Sequence, residues 1–252
     1  MRHINVVVEG KKDLYFLHEF ILQRFGQLFD RAENGIPDDV KKLGKKPYRM
    51  KSNDGVVVFN IYDVEGFGKV EAYRDILKRP QELADTDEFV SAVIFDADKT
   101  PPIGQSNTNY AGFSSRPQHI LDLLKVTDST HRQKGLALIF LFPDNQSDGD
   151  IETLMEKMII PTRNHLEFIN VCWYNFEHCV KAHGFNPTTR KSKMNEYTAA
   201  FDSLAWDYNG INRCFARPNL WDWNAQGLTP LFDFVSKLLV SSPPTSFDDA
   251  LK

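Results

Sequence analysis

Residues 92–100, A-V-I-F-D-A-D-K-T, constrain the fold of this chain more than any other stretch. An apolar run that stops abruptly at two acids has the pattern of a strand buried on both faces, delivering Asp96 and Asp98 to its carboxyl end. Residues two apart in a strand point to the same side, so the two carboxylates are expected to share one ligand. Hard oxygen donors in such a pair suit a metal ion.

Two other stretches end in the same way. Residues 1–10 close on I-N-V-V-V-E-G, a β-branched strand finishing in Glu9, with Gly10 free to turn sharply into a helix. Residues 136–145 read L-A-L-I-F-L-F-P-D-N and carry Asp144 just past the last apolar position. In an open parallel α/β sheet the carboxyl ends of the strands lie along one rim, where ligands bind. Glu9, Asp96, Asp98 and Asp144 are therefore expected to converge there from distant parts of the chain.

With 252 residues, 42% of them hydrophobic and 25% charged, the chain can bury a full core as one large domain or as a domain with an elaborated end. The net charge of -4 supplies no global attraction to nucleic acid, so such binding would need a local basic patch. The odd number of cysteines, with no C-x-x-C pair, argues against a disulfide framework or a structural zinc site. A reduced, cytoplasmic setting fits best. No signal segment precedes the first strand, and no apolar run approaches the ~20 residues that span a bilayer, so no membrane partner is expected.

Leu14, Leu17, Phe20, Ile21, Phe25 and Leu28 recur at helical spacing over residues 11–31. Asp13 stands in the first turn of that helix, where a negative charge complements the dipole; the functional alternative is a direct or outer metal ligand. Lys41, Lys42, Lys45, Lys46, Arg49 and Lys51 form a basic run that reads either as a solvated loop or as a phosphate contact, with Tyr48 placed to stack on a base. Residues 55–63 are the next strand, and V-E-G-F-G-K after it is a tight turn into a helix that extends to about residue 83. It fails the Walker pattern, because Asp63 holds the first glycine position and Val70 follows the lysine. Residues 99–115, rich in Pro, Gly, Asn and Ser, make a long loop facing the rim. Residues 116–126 form the next crossover helix.

Asp144, Gln146, Asp148 and Gly149 imitate the start of an EF-hand loop, but Met155 stands where that loop needs a bidentate Glu. Asp150 and Glu152 instead cap and charge a helix beginning at Ile151, with an outer-shell role as the other reading of Glu152. Beyond Pro161 the composition turns aromatic. Residues 166–174 form a strand or open a helix, residues 192–204 and 230–239 are helices, and Trp206, Trp221, Trp223 and Phe232 are core or interface anchors rather than base-stacking groups. Cys179 and His183 share a helical face but lack further zinc ligands nearby. Residues 241–252 are a tail.

V-V-V-E-G-K-K-D, I-Y-D-V-E-G-F-G-K and V-I-F-D-A-D-K-T together resemble the Toprim domain of topoisomerases, primases and overcoming-lysogenization-defect-type nucleases. That family carries a Glu after its first strand and a D-x-D after a later one, which fall on Glu9, Asp96 and Asp98; the nuclease branch adds an acid at Asp13. With F-L-F-P-D-N-Q-S-D-G-D-I-E-T-L and W-D-W-N-A-Q-G-L-T-P-L-F-D-F, the whole chain is similar to a stand-alone bacterial Toprim-like family of no assigned function. The resemblance implies an α/β, Rossmann-like, mainly parallel sheet over residues 1–165. A mainly helical elaboration over 166–240 would pack on the same core.

The expected cofactor is Mg²⁺ or Mn²⁺ on Glu9, Asp96 and Asp98, with Asp13 and Asp144 as candidates for a second ion. Glu9, Asp96 and Asp98 are the catalytic candidates, and phosphodiester hydrolysis of nucleic acid is the expected chemistry. The alternative is a module that binds a nucleotide or nucleic acid and leaves catalysis to partner proteins.

Overall fold

The structure is a computed structural model. It describes residues 1–34, 47–64, 66, 69, 74–77, 81–101, 105–106, 110–123, 137–184, 190–201, 214–217 and 219–240. A five-stranded sheet organises it. The strands are β1 (Arg2–Val8), β2 (Tyr48–Lys51), β3 (Val57–Asp63), β4 (Glu88–Asp96) and β5 (Ala137–Phe142). Their spatial order is β2-β3-β1-β4-β5, and every neighbouring pair is parallel except β2 with β3. The architecture is therefore a mostly parallel α/β sheet flanked by helices, as the apolar runs predict.

Strand parity sorts the side chains into two layers. Ile4, Val6, Val8, Phe59, Ile61, Val90, Ala92, Ile94, Phe140 and Phe142 enter the larger apolar cluster, whereas Val7, Val93, Phe95, Ile139 and Leu141 enter the second. Helix α1 (Lys11–Arg24) packs in the first layer through Leu14, Phe16, Leu17, Phe20 and Ile21; helix α2 (Arg116–Leu123) packs in the second through Ile120 and Leu121. After β1 the chain turns to β3 on one side of it, and later returns to β4 and β5 on the other. The crevice between the carboxyl ends of β1 and β4 is thus the point where the winding reverses, the place where such sheets bind ligands.

The following helices are α3 (Ile151–Lys157), α4 (Arg163–Glu167), a π-helical turn (Phe168–Cys172), α5 (Trp173–Ala182), α6 (Arg190–Phe201) and α7 (Thr229–Val240). Residues 166–174 are accordingly helical. Asp150 caps α3, its side chain accepting the Thr153 N–H at 2.8 Å, as its position predicts. Trp221 and Trp223 are buried core members, and Phe232 stacks on Phe25 at 5.1 Å. Cys172 and Cys179 are exposed and Cys214 is buried, all three as free thiols. Among the described residues no helix is long and apolar enough to cross a membrane.

Several local expectations change. Helix α1 stops at Arg24, and Leu28 is exposed. Gly10 has φ -152°, an extended conformation open to any residue, so the turn does not depend on glycine. Tyr48 is buried with its hydroxyl donating to the Asn34 carbonyl at 2.7 Å, which removes it as a stacking platform. Lys41, Lys42, Lys45, Lys46, Trp206 and residues 241–252 lie outside the described residues, as do parts of the 65–80 and 99–115 segments.

The larger cluster runs from Ile4 to Leu239, so the late helices share the core of the sheet. Phe16 sits at its centre, fully buried, with rings of Phe20, Phe142, Phe215 and Trp223 at 5.3–6.3 Å. Arg2 clips the start of β1 to the end of α7 by donating to the Leu238 carbonyl at 2.7 Å. Truncating a buried phenylalanine costs about 3–5 kcal/mol. Phe16→Ala should lose that much in urea unfolding, and far-UV and tryptophan signals should still report one coincident transition.

Candidate metal centre

Burial of both faces leaves a parallel strand only its ends for polar chemistry. The ends of β3, β1 and β4 lie side by side and carry Asp63, Glu9 and Asp96. The turn after β3 is tied to that after β1, with Val64 N–H donating to the Val8 carbonyl at 3.1 Å and Gly66 N–H to the Glu9 carbonyl at 2.8 Å. A cleft of about 510 Å³ opens over this rim, lined by Glu9, Asp13, Asp63, Asp96 and Glu152 together with Lys11 and Lys12.

Asp13 reaches the cleft from the first turn of α1. Its Oδ2 accepts the Gly10 N–H at 2.8 Å, so it closes the helix and faces the acids at once. Asp96 Oδ1 accepts the Ile151 N–H at 2.8 Å, joining the end of β4 to the start of α3. That junction brings in Glu152, which is buried and accepts from Lys12 Nζ at 2.9 Å.

The electrostatics follow from crowding. Burial, then the Glu9 charge, push the Asp13 carboxyl up to about 8; the Gly10 bond and Lys12 oppose, and Glu152 adds to the rise. Burial, then Asp13, Glu9 and Glu152, hold Asp96 well above the usual carboxylate range, against the opposing bond from Ile151. Because the Asp13 charge is one of those that raise Asp96, these two carboxyls do not titrate independently.

Glu9, Asp13 and Asp96 are thus brought together, and Asp98 and Asp144 are not among the residues lining the cleft. Strand parity fails at Asp98 because β4 ends at Asp96 and Asp98 adopts φ 59°, in the left-handed region. Its backbone instead bridges to Gly149, with N–H···O distances of 2.6 and 2.9 Å, and its carboxylate pairs with Arg116. Asp144 folds into its own turn, accepting from Gln146 N–H at 3.1 Å and Ser147 N–H at 2.9 Å, with Lys157 Nζ at 3.5 Å. Partial burial raises its pKa, but those bonds prevail and hold the carboxyl below the usual range.

Asp63 is the cleft acid to which the sequence reading gave no role. Glu152 had an outer-shell role only as the alternative to helix chemistry, and the structure places it in the cleft lining. Cys179 and His183 are exposed, and the His183 ring lies against the Cys179 carbonyl at 2.8 Å. The donor set of the cleft is all oxygen, which fits a hard cation. Among the described residues no three His, Cys, Asp or Glu side chains are gathered closely enough to form a ready metal cage.

Fold and rim together define a mostly parallel α/β protein with a carboxylate-lined cleft where its winding reverses. The chain belongs to the family described as "Protein of unknown function (DUF3226)", which matches residues 4–240. It is similar in structure to a hypothetical protein, PH0156, from Pyrococcus horikoshii OT3, with 15% identity over 95% of this chain and 100% of that one, at a TM-score of 0.49. No curated protein matches.

Raised carboxyl pKa values have a signed consequence. Between the ordinary Asp value of 3.8 and about 8 the folded protein holds a proton on Asp13 that the unfolded chain releases, so this contribution to stability is lost as pH rises through that window. In chelator, Asp13→Asn should therefore raise Tm most at pH 8 and least at pH 4, while its amide oxygen keeps the cap. A Tm difference that does not grow with pH would show that Asp13 is not crowded in this way.

Proposed function

We propose that the cleft holds a divalent cation, Mg²⁺ or Mn²⁺, and that the protein hydrolyses phosphodiesters of nucleic acid. The observation that carries this is the gathering of Glu9, Asp13, Asp96 and Glu152 around one cleft, with Asp13 and Glu152 buried, which concentrates negative charge that a hard cation is suited to neutralise. Mg²⁺ is commonly held by one or two carboxylates, with water and substrate phosphate completing its shell, so an open cleft suits it better than a closed cage. When bound, such an ion stabilises charge on the transferring phosphate and lowers the pKa of water.

The residues take separate roles. Glu9 and Asp96, at the ends of adjacent strands, are the principal ligands, and Glu9 is also placed to move a proton. Asp13 holds the start of α1 against the rim, and its position in the cleft supports it as a further donor. The resemblance to Toprim domains implies Asp98 as a ligand. The cleft lining instead supports Glu152 in that place. Lys11 and Lys12 bring positive charge to the same opening, which favours an anionic substrate.

A second reading is a module that binds a nucleotide or nucleic acid beside partner proteins without cutting it. The engagement of Asp98 by Arg116, and the lack of a ready cage among the described residues, favour it.

Cleavage of single-stranded DNA, supercoiled DNA and RNA separates the two. Metal-dependent cutting should appear with Mn²⁺ or Mg²⁺ and fall by at least about 100-fold in Asp96→Asn, a usual scale for loss of a group that stabilises transition-state charge. Cutting that persists in this variant would sink the assignment to this rim. No cutting, combined with Mn²⁺ stabilisation of about 2.7 kcal/mol at a hundredfold excess over Kd, would favour the binding module.

A further inference from the structure

Lys12 is the second residue of helix α1, and its side chain is 16% exposed. A cation in the first turn of a helix opposes the helix dipole, so local chemistry gives no reason for a lysine there. The reason is tertiary: Lys12 Nζ donates to Glu152 Oε1 at 2.9 Å, across 140 residues of chain. Glu152 is the second residue of α3 and is buried. The pair joins the starts of two helices that meet at the rim, one following β1 and the other bonded to the end of β4 through Ile151 and Asp96.

Both members of the pair line the cleft, together with Glu9, Asp13, Asp63 and Asp96. A buried carboxylate needs a partner, and Lys12 supplies it. A divalent cation offers twice the charge to the same oxygen, and the attraction scales with charge. Lysine suits an exchange of partners, because its ammonium is a compact charge on a flexible stem, and Glu152 takes one of its three donors. The lining also sets the order of events. Five carboxyl groups face two ammonium groups there, so an anion is repelled until a cation has been admitted. Once Glu152 is engaged by a divalent cation, the Lys12 ammonium has lost its partner in the same opening.

We infer that Lys12 is the phosphate-contacting residue of the cleft and that it exchanges partners: it holds Glu152 in the cation-free protein and turns to a phosphate oxygen of nucleic acid when Glu152 takes the divalent cation. Metal and substrate binding are then linked through one side chain, since each favours the arrangement that admits the other. Lysine binds phosphate as a point charge and needs no fixed fork, so one ammonium serves both partners in turn. The inference rests on the metal-centre reading above and names within it the group that meets the substrate.

Three measurements on the full chain test it. The first is the rate of lysine acetylation by a water-soluble reagent, read at Lys12 by peptide mass spectrometry. Mn²⁺ should speed acetylation of Lys12 severalfold, and a single-stranded phosphorothioate oligonucleotide, which resists cutting, should slow it again. Lys11, also in the lining, should change less with Mn²⁺. The second is Mn²⁺ binding by calorimetry. Lys12→Gln, whose amide can still donate to Glu152, should hold or tighten Mn²⁺ binding, since a competing charge is gone. The third is anisotropy of the same oligonucleotide, fluorescein-labelled, in Mn²⁺ over a range of salt. Lys12→Gln should weaken it on the order of tenfold, the scale of one hydrogen bond to a charged group. The slope of log affinity against log salt should flatten by about 0.7, one phosphate of a single strand, which a merely structural role would not do. Lys12→Arg should keep the slope.

Acetylation at Lys12 that ignores Mn²⁺, in a wild type that binds it, overturns the inference, and this measurement needs no variant to fold. An unchanged salt slope in Lys12→Gln overturns it too, as does a wild type that binds Mn²⁺ but no oligonucleotide; all three leave the metal centre standing. Weaker Mn²⁺ binding in Lys12→Gln also overturns it, because Lys12 would then serve only to hold Glu152 in place. A wild type that binds no Mn²⁺ removes the metal centre and this inference together.

Discussion

The constraint on which the rest of the structure depends is the double pairing of β1. Each of its residues from Arg2 to Val8 is registered with a residue of β3 on one side and of β4 on the other. A strand in that position needs apolar side chains on nearly every residue, because helices cover both faces. The exception is instructive: Asn5 is buried, but it accepts from Asn60 Nδ2 across the ladder and donates to the Ile76 carbonyl, both at 2.8 Å. Charged groups stand only at the two ends of the strand, Arg2 at its start, bonded to the Leu238 carbonyl, and Glu9 just past its last residue.

What happens at that end is a matter of charge balance. Five carboxylates line one cleft, and the cations in the lining are Lys11 and Lys12, the second bonded to Glu152. That pairing removes one charge from the contest. The remaining repulsion falls on Asp13 and Asp96, whose carboxyls are pushed upward by burial and by the neighbouring charges. In a low-dielectric cleft a proton or a metal ion relieves such crowding, and the two compete for the same oxygens.

The helical region after residue 160 contributes to this arrangement without reaching the cleft lining. Arg24, at the end of α1, donates to the Trp223 carbonyl at 2.8 Å and lies over the Phe232 ring at 4.8 Å. Tyr197, Trp221 and Phe215 continue the aromatic packing from α6 to the face of α1. The helix that presents Asp13 at its start is thereby pinned at its far end. This is how a distant aromatic segment holds the rim in place.

The sequence by itself determined the four parallel strands and three of the rim acids, Glu9, Asp13 and Asp96, whereas the edge strand β2 lies in a stretch that reads as a basic loop. Apolar runs closed by Glu9 and Asp96 have one physical interpretation, and Asp150 before an apolar helical repeat has another, and both hold in the structure. Only the tertiary structure decided the fate of Asp98, because alternation of side chains applies while the strand lasts and β4 ends two residues earlier. Asp144 went the same way, into a turn made of its own neighbours. Glu152 entered the rim through a long-range contact, the bond from the Ile151 N–H to Asp96. Local pattern records which residues a strand can carry to its end; which charges finally meet there is set by packing between segments far apart in the chain.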